Sequence, residues 1–196
     1  MAPSDPQAIR SRADLVWINR LMGSERWLLK RLKRLPPEID TVVELGAGEG
    51  HLISMIKRRY PELRCIACDL MPRPKGLDSG IEWISGDIMQ NMTSLPLSKN
   101  TVLLASLFLH HLEASQLDNL GQATRNVFHV LALEPDRSAL SLCLGRSLLP
   151  FVGSVTRKDM ITSIRAGFQK GELAKHFGRK SMDDYTWLGG RRTLLK

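Results

Sequence analysis

Apolar positions recur at helical spacing near the amino terminus and then switch to short strand-like runs, and this change of period lays out the chain. Ile9, Ala13, Val16, Trp17 and Leu21 fall mostly three or four apart, which predicts an amphipathic helix over 7–22 after Pro6. Ser24 is placed to cap a second helix, where Trp27, Leu28, Leu32 and Leu35 are interleaved with Lys30, Arg31, Lys33 and Arg34, and Pro36-Pro37 ends it. Thr41–Leu45 then reads TVVEL, a β-branched run that ends in a glycine-rich turn, and a helix follows over 50–59, up to Tyr60-Pro61. Residues 63–68, 81–85 and 101–107 read as three further strands, and a helix is expected near 113–130. The run ALSLCL at 139–144 is expected to be a fifth strand. Strands alternating with helices imply parallel βαβ units in a doubly wound α/β sheet. The end differs: 172–177 suggests a short helix, and 185–188 and 191–195 flank Gly189-Gly190, an antiparallel hairpin signal.

The chain has 196 residues, room for a single domain, and its 43% hydrophobic and 24% charged content excludes wholesale disorder and fibrous repeats. No run approaches the roughly 18–20 apolar residues of a membrane helix, so no membrane span is expected. The opening MAPSDPQAIRSRAD lacks the layout of a secretory signal, and three cysteines (Cys65, Cys68, Cys143) are too few to staple a domain, so a reducing, cytoplasmic location is the expectation. The net charge of +8 is uneven: +3 over 1–40, −2 over 41–145 and +7 over 146–196. Such asymmetry suits nucleic acid, an anionic surface or an acidic small substrate, and equally a merely solvated basic face.

The informative segment is Glu44-Leu45-Gly46-Ala47-Gly48-Glu49-Gly50, at the junction of the first strand and its helix. Glycines there let the chain turn sharply and let a ligand lie against main-chain atoms. Asp69 ends the second strand, where an acid can take ribose hydroxyls, and Asp87 follows the third strand at the same carboxyl edge. The helix-opening position of a dinucleotide fingerprint is His51, no Lys-Ser/Thr pair follows the last glycine, and Glu44 and Glu49 repel phosphate. An acid-flanked turn of this kind suits a ligand that carries positive charge and no phosphate.

VELGAGEG, CDL, SGDI and SLFLHHL, in that order and spacing across roughly 40–145, resemble the class I S-adenosylmethionine-dependent methyltransferases. The resemblance implies a seven-stranded Rossmann-like sheet of order 3-2-1-4-5-7-6 whose last two strands are the hairpin. It implies that Glu44, Gly46, Ala47 and Gly48 face the methionine part of the cofactor, that Asp69 takes the ribose hydroxyls, and that Leu70 lies against the adenine. Asp87 and Ile88 would meet the adenine edge, and Ser106 would lie under the sulfonium. The chain departs from that pattern in a short, proline-bearing link at 71–80, which is expected to lack a helix. It departs again at Glu134-Pro135-Asp136, which stands in for the usual Pro-Gly-Gly and is expected to affect a loop and not the site. The segment from Thr156 to Leu173 and the run WINRLMG resemble a narrower group, bacterial small-molecule methyltransferases, with the latter matching their lid helices.

His110 and His111 follow the fourth strand at the mouth of the expected crevice, and a neutral imidazole there can accept a phenolic proton as methyl arrives; His111 is the first choice. Cys65 and Cys68 point to opposite faces of one strand, Asp118-Asn119 lies inside a helix, and no metal site is expected. Arg20 is within reach of a cofactor carboxylate or is simply exposed. The expected layout is one domain: a helical lid at 1–38, a cofactor core at 40–145, a substrate-pocket segment at 146–170, and a closing helix and hairpin at 171–196. Trp17, Arg165 and Phe168 are the expected substrate contacts. The expected activity is O-methylation of a small phenolic or hydroxylated molecule. Two other readings stay open. A nucleic-acid methyltransferase would explain the charge, but the Asn/Asp-Pro-Pro-aromatic signature of base-amine enzymes is replaced here by Ser106-Leu107-Phe108-Leu109, and Cys143 is expected in a core strand. A non-catalytic S-adenosylmethionine-binding protein is the third reading.

Overall fold

Thr41–Leu45 forms β1 with every side chain buried, the place in a covered parallel sheet for a short run that carries apolar residues on both faces. The computed structural model describes residues 10, 14, 17, 18 and 22–196. β1 pairs in parallel with β2 (Arg64–Asp69) on one side and β4 (Thr101–Ser106) on the other, with Leu45 level with Cys68 and Ala105. β3 (Ile81–Ser85) lies outside β2, and β5 (His129–Pro135) lies outside β4. β7 (Gly190–Leu195) runs antiparallel to β5, and β6 (Ser181–Trp187) closes the seven-stranded order β3-β2-β1-β4-β5-β7-β6. Leu188 and Gly189, both at positive φ, make the tight turn between the last two strands.

Strand alternation divides the core between two faces. Val42 and Cys65 pack with Leu28 and Leu32 of α1 (Ser24–Leu32) and with Ile53 and Ile56 of α2 (His51–Arg59). Val43 and Cys68 face the other way, toward Ile88 of α3 (Ile88–Asn91), Leu117 and Leu120 of α4 (Ala114–Ala123), and Leu173 of α7 (Glu172–His176). No helix joins β2 to β3. Arg73 organises that link instead, donating to the carbonyls of Ile81 (2.6 Å), Asp78 (2.7 Å) and Leu77 (3.2 Å).

Three expectations are corrected. The fifth strand is His129–Pro135, whereas 139–144 lies in α5 (Ala139–Leu148). That helix is inside out: Ser141 and Gly145 are buried while Leu140 is 68% exposed, so its apolar run carried no information about burial. The helix expected near 113–130 stops at Ala123, where the buried Thr124 hydroxyl turns back to donate to the Leu120 carbonyl. Ser24 is not a cap either. Gly23, in the left-handed conformation, holds that position, and the Ser24 hydroxyl is buried without a partner among the described residues. The helix expected over 7–22 lies mostly outside the described residues, as do Arg20 and Leu21; Arg10, Asp14, Trp17 and Ile18 are helical.

Candidate active site

The carboxyl ends of β1, β2, β4 and β5 converge on the glycine turn. Gly46 and Ala47 donate their amides to the Cys68 carbonyl (2.9 and 3.1 Å), pinning the turn to β2. The Gly48 amide donates to Oδ2 of Asp69 at 2.8 Å, and the Met71 amide to Oδ1 at 2.9 Å. Two glycines are needed for different reasons. Both have positive φ, but a Cβ on Gly46 would overlap the ring of Phe108, whereas one on Gly48 would project into open space.

Beneath the turn, Glu44 is buried, and burial pushes its carboxyl up to about 8, with Asp69 adding to the rise and an amide bond from Ile53 opposing it. Among the described residues its Oε2 has no hydrogen-bond partner. At the rim, Leu70 is 73% and Met71 55% exposed. Asp87 spends Oδ1 on the Met89 amide (2.9 Å), capping α3, and Ile88 is buried beside it. Ser106 is half-buried at the tip of β4.

Past Ser106 the chain turns abruptly. Leu107 takes a positive φ of 55° and donates its amide to the Leu133 carbonyl at 2.8 Å. A 3₁₀ turn over Leu109–His111 follows, and Glu134 reaches it from β5. Oε1 of Glu134 accepts the amides of Phe108 (3.0 Å) and Leu109 (2.8 Å), and Oε2 lies 2.7 Å from Nδ1 of His110. Glu134 therefore belongs to the site and not to a peripheral loop, contrary to expectation. It and Phe108 are the residues sequence reasoning missed; with strand five placed correctly, Glu134 would have stood out as another acid at a strand's carboxyl end. His111 is exposed, its ring centroid 4.1 Å from that of His110. Partial burial, and then His110, hold its pKa below the ordinary value, against the pull of Glu134 and Asp159.

The structure brings together Glu44, Gly46, Ala47, Gly48 and Asp69, with Ser106, His110 and His111 on the adjoining strand end. It does not bring Phe168 to them: that side chain is 4% exposed and packs in the core with Leu173 and Phe177, its amide donating to the Pro135 carbonyl (2.9 Å). Arg165 is exposed on α6 (Ser154–Ala166), which packs against the histidine turn. Trp17 is 44% exposed. Asp14, on the same segment as Trp17, accepts both the Gly153 amide and the Thr156 hydroxyl at 2.8 Å, so the amino-terminal segment is tied to the start of α6. Trp27, Leu28 and Leu32, by contrast, fill the core, so α1 is part of the sheet's cover.

No protein-family model matches the chain, and no curated protein matches it. Solved structures do. The plantazolicin methyltransferase BpumL, in complex with a pentazolic desmethylPZN analog and SAH, is 16% identical with a TM-score of 0.64, covering 88% of this chain and 69% of its own. The pyocyanin biosynthetic protein PhzM is 16% identical with a TM-score of 0.63, covering 98% of this chain and 59% of its own. The methyltransferase domain of bacterial CtHen1 is 13% identical with a TM-score of 0.56, covering 91% of this chain and 98% of its own. At these identities the likeness is one of architecture, and the chain has the Rossmann-like fold of the class I methyltransferases.

Proposed function

We propose that the protein is an S-adenosylmethionine-dependent methyltransferase acting on oxygen of a small phenolic or hydroxylated acceptor. The observation that carries this reading is the unpartnered, buried Oε2 of Glu44 beneath an open glycine turn, with Asp69 at its rim. The residues fit the cofactor. A buried carboxyl oxygen without a donor suits the ammonium of a methionine moiety, whose positive charge would favour the ionised form of Glu44. Each oxygen of Asp69 takes one amide bond and keeps a lone pair for a ribose hydroxyl. Leu70 and Met71 offer exposed apolar surface for adenine, with Asp87 and Ile88 next along the edge. BpumL in complex with SAH and an azolic analog, and PhzM as a biosynthetic protein for pyocyanin, are in keeping with a small-molecule acceptor.

When bound, S-adenosylmethionine supplies a methyl carbon already activated by its sulfonium sulfur. The protein's part is then alignment and removal of one proton. Gly46, Ala47 and Gly48 hold the main chain bare along the crevice, and the histidine turn after Ser106 supplies the proton acceptor. His110 and His111 are the imidazoles on that turn, and partial burial holds the His111 pKa below its ordinary value. Trp17 and Arg165 frame the entrance, the arginine offering charge to an anionic substrate group; Phe168 serves the core.

Calorimetry with SAH and NAD, followed by transfer from labelled S-adenosylmethionine into a metabolite extract or total RNA, tests this reading. SAH binding and label in small molecules are expected. NAD binding without SAH binding, or label entering RNA, would overturn it, and SAH binding without transfer to either would leave a cofactor-binding protein that is not an enzyme.

A further inference from the structure

Glu134 is wholly buried, and among the described residues its only basic partner is His110. Taking such a carboxylate out of water is costly unless its lone pairs are used. The amides of Phe108 and Leu109 occupy Oε1 and the His110 amide approaches Oε2 at 3.4 Å, and these bonds alone would explain an acid that merely caps the 3₁₀ turn. They do not account for the much shorter contact of Oε2, 2.7 Å to Nδ1 of His110. A carboxylate already acting as acceptor to the amides calls for a donor at Nδ1, which puts the imidazole proton on that nitrogen. Nε2 makes no hydrogen bond among the described residues and is left with the lone pair.

We propose that Glu134 is a positioning residue for proton removal: it fixes His110 as the Nδ1–H tautomer, so that Nε2 accepts the proton of the methyl acceptor. The proposal rests on the methyltransferase reading above and moves the base from His111 to His110. In the step itself, the acceptor's hydroxyl proton goes to Nε2 and the oxygen's electron pair forms the bond to the methyl carbon. The carbon–sulfur bond breaks with its pair left on sulfur. The imidazolium formed at His110 is stabilised where it stands, because Oε2 of Glu134 is already in place as a charge-assisted partner. The same carboxylate clasps the amides of Phe108 and Leu109, so the ring's orientation and the turn that bears it are set by one group.

Nitrogen NMR of the full chain carrying labelled histidine reads the tautomer directly. At neutral pH the His110 ring is expected to show a protonated Nδ1 and an unprotonated Nε2; a proton on Nε2 overturns the proposal whatever the activity proves to be. In Glu134→Gln, whose amide can donate to Nδ1, the tautomer is expected to reverse. Label transfer into the metabolite extract is then expected to fall about a hundredfold while SAH affinity stays within about twofold. An unchanged tautomer with unchanged transfer returns Glu134 to a capping role. Should Glu134→Gln fail to fold, the wild-type tautomer decides alone. Failure of the wild-type chain to bind SAH would sink the methyltransferase reading, a result distinguishable from a misassigned tautomer.

Discussion

Gly48 and Asp69, 21 residues apart in the chain, are joined by a 2.8 Å bond from the glycine's amide to the carboxylate's Oδ2. The bond fixes the open face of the turn relative to the tip of β2, so that the acid expected to receive a ligand's hydroxyls also shapes the surface that receives the rest of the ligand.

Asp69→Ala removes both a ligand partner and this brace. SAH affinity is expected to fall by about 1–3 kcal/mol, more than for Asp69→Asn, whose side-chain oxygen still accepts one bond. Calorimetry on the three proteins checks the order; equal affinities would remove Asp69 from the site.

Glu44 gives a pH signature in the free protein. Its carboxyl lies at about 8 against an ordinary 4.5, so the folded chain keeps a proton that the unfolded chain releases. The stability associated with that proton is therefore full below about 4.5 and is lost as pH rises toward 8, on the order of 5 kcal/mol in all. Glu44→Gln is expected to be flat across the window in which the wild type declines. Melting temperatures of both proteins between pH 5 and 8 measure the difference, and parallel curves would contradict it.

Gly46 and Gly48 are expected to respond differently to alanine. Each substitution places a side chain at positive φ, costing about 1–2 kcal/mol. Only Gly46→Ala also collides with Phe108, so it should destabilise more, and adding Phe108→Ala should recover part of its loss. Gly48→Ala should stay folded and lose SAH affinity, because its methyl group fills the open space above the turn. Denaturant melts and calorimetry separate the two effects.

Asp14→Ala releases the start of α6 from the amino-terminal segment. Loss of the bonds to Gly153 and Thr156 is expected to cost about 1 kcal/mol. If the two segments frame the substrate, KM for the acceptor should rise with little change in kcat, as it should for Arg165→Ala. An unchanged KM in both variants would return these segments to a covering role. Deleting the first 35 residues would be a poor substitute, since it removes Trp27, Leu28 and Leu32 from the core.

Much of the first half of the sheet was legible in the sequence because its signals are local. Thr41–Leu45 opens with three β-branched residues, Gly46, Gly48 and Gly50 all take the positive φ that their residue type allows, and Asp69 ends a strand whose partner is β1. The closing hairpin was readable from Gly189 for the same reason. The second half was not. The runs at 139–144 and 129–135 are both short and largely apolar, a content that does not distinguish a strand from a helix that exposes its leucines; the local sign was Ser138, which caps α5 by accepting the Ser141 amide at 3.2 Å. What decided between them was the free edge of β4, which takes up Val130 opposite Leu103 and leaves α5 to lie outside the sheet.

That decision carries Glu134 with it. A carboxylate counted as part of a loop became, once its strand was placed beside β4, the buried partner of a histidine 24 residues earlier. Sequence alone determined which residues could bear charge and which could turn the backbone, because those are properties of single residues and their neighbours. Which acid meets which imidazole depends on strands that pair across the sheet, and only the tertiary structure settled that pairing.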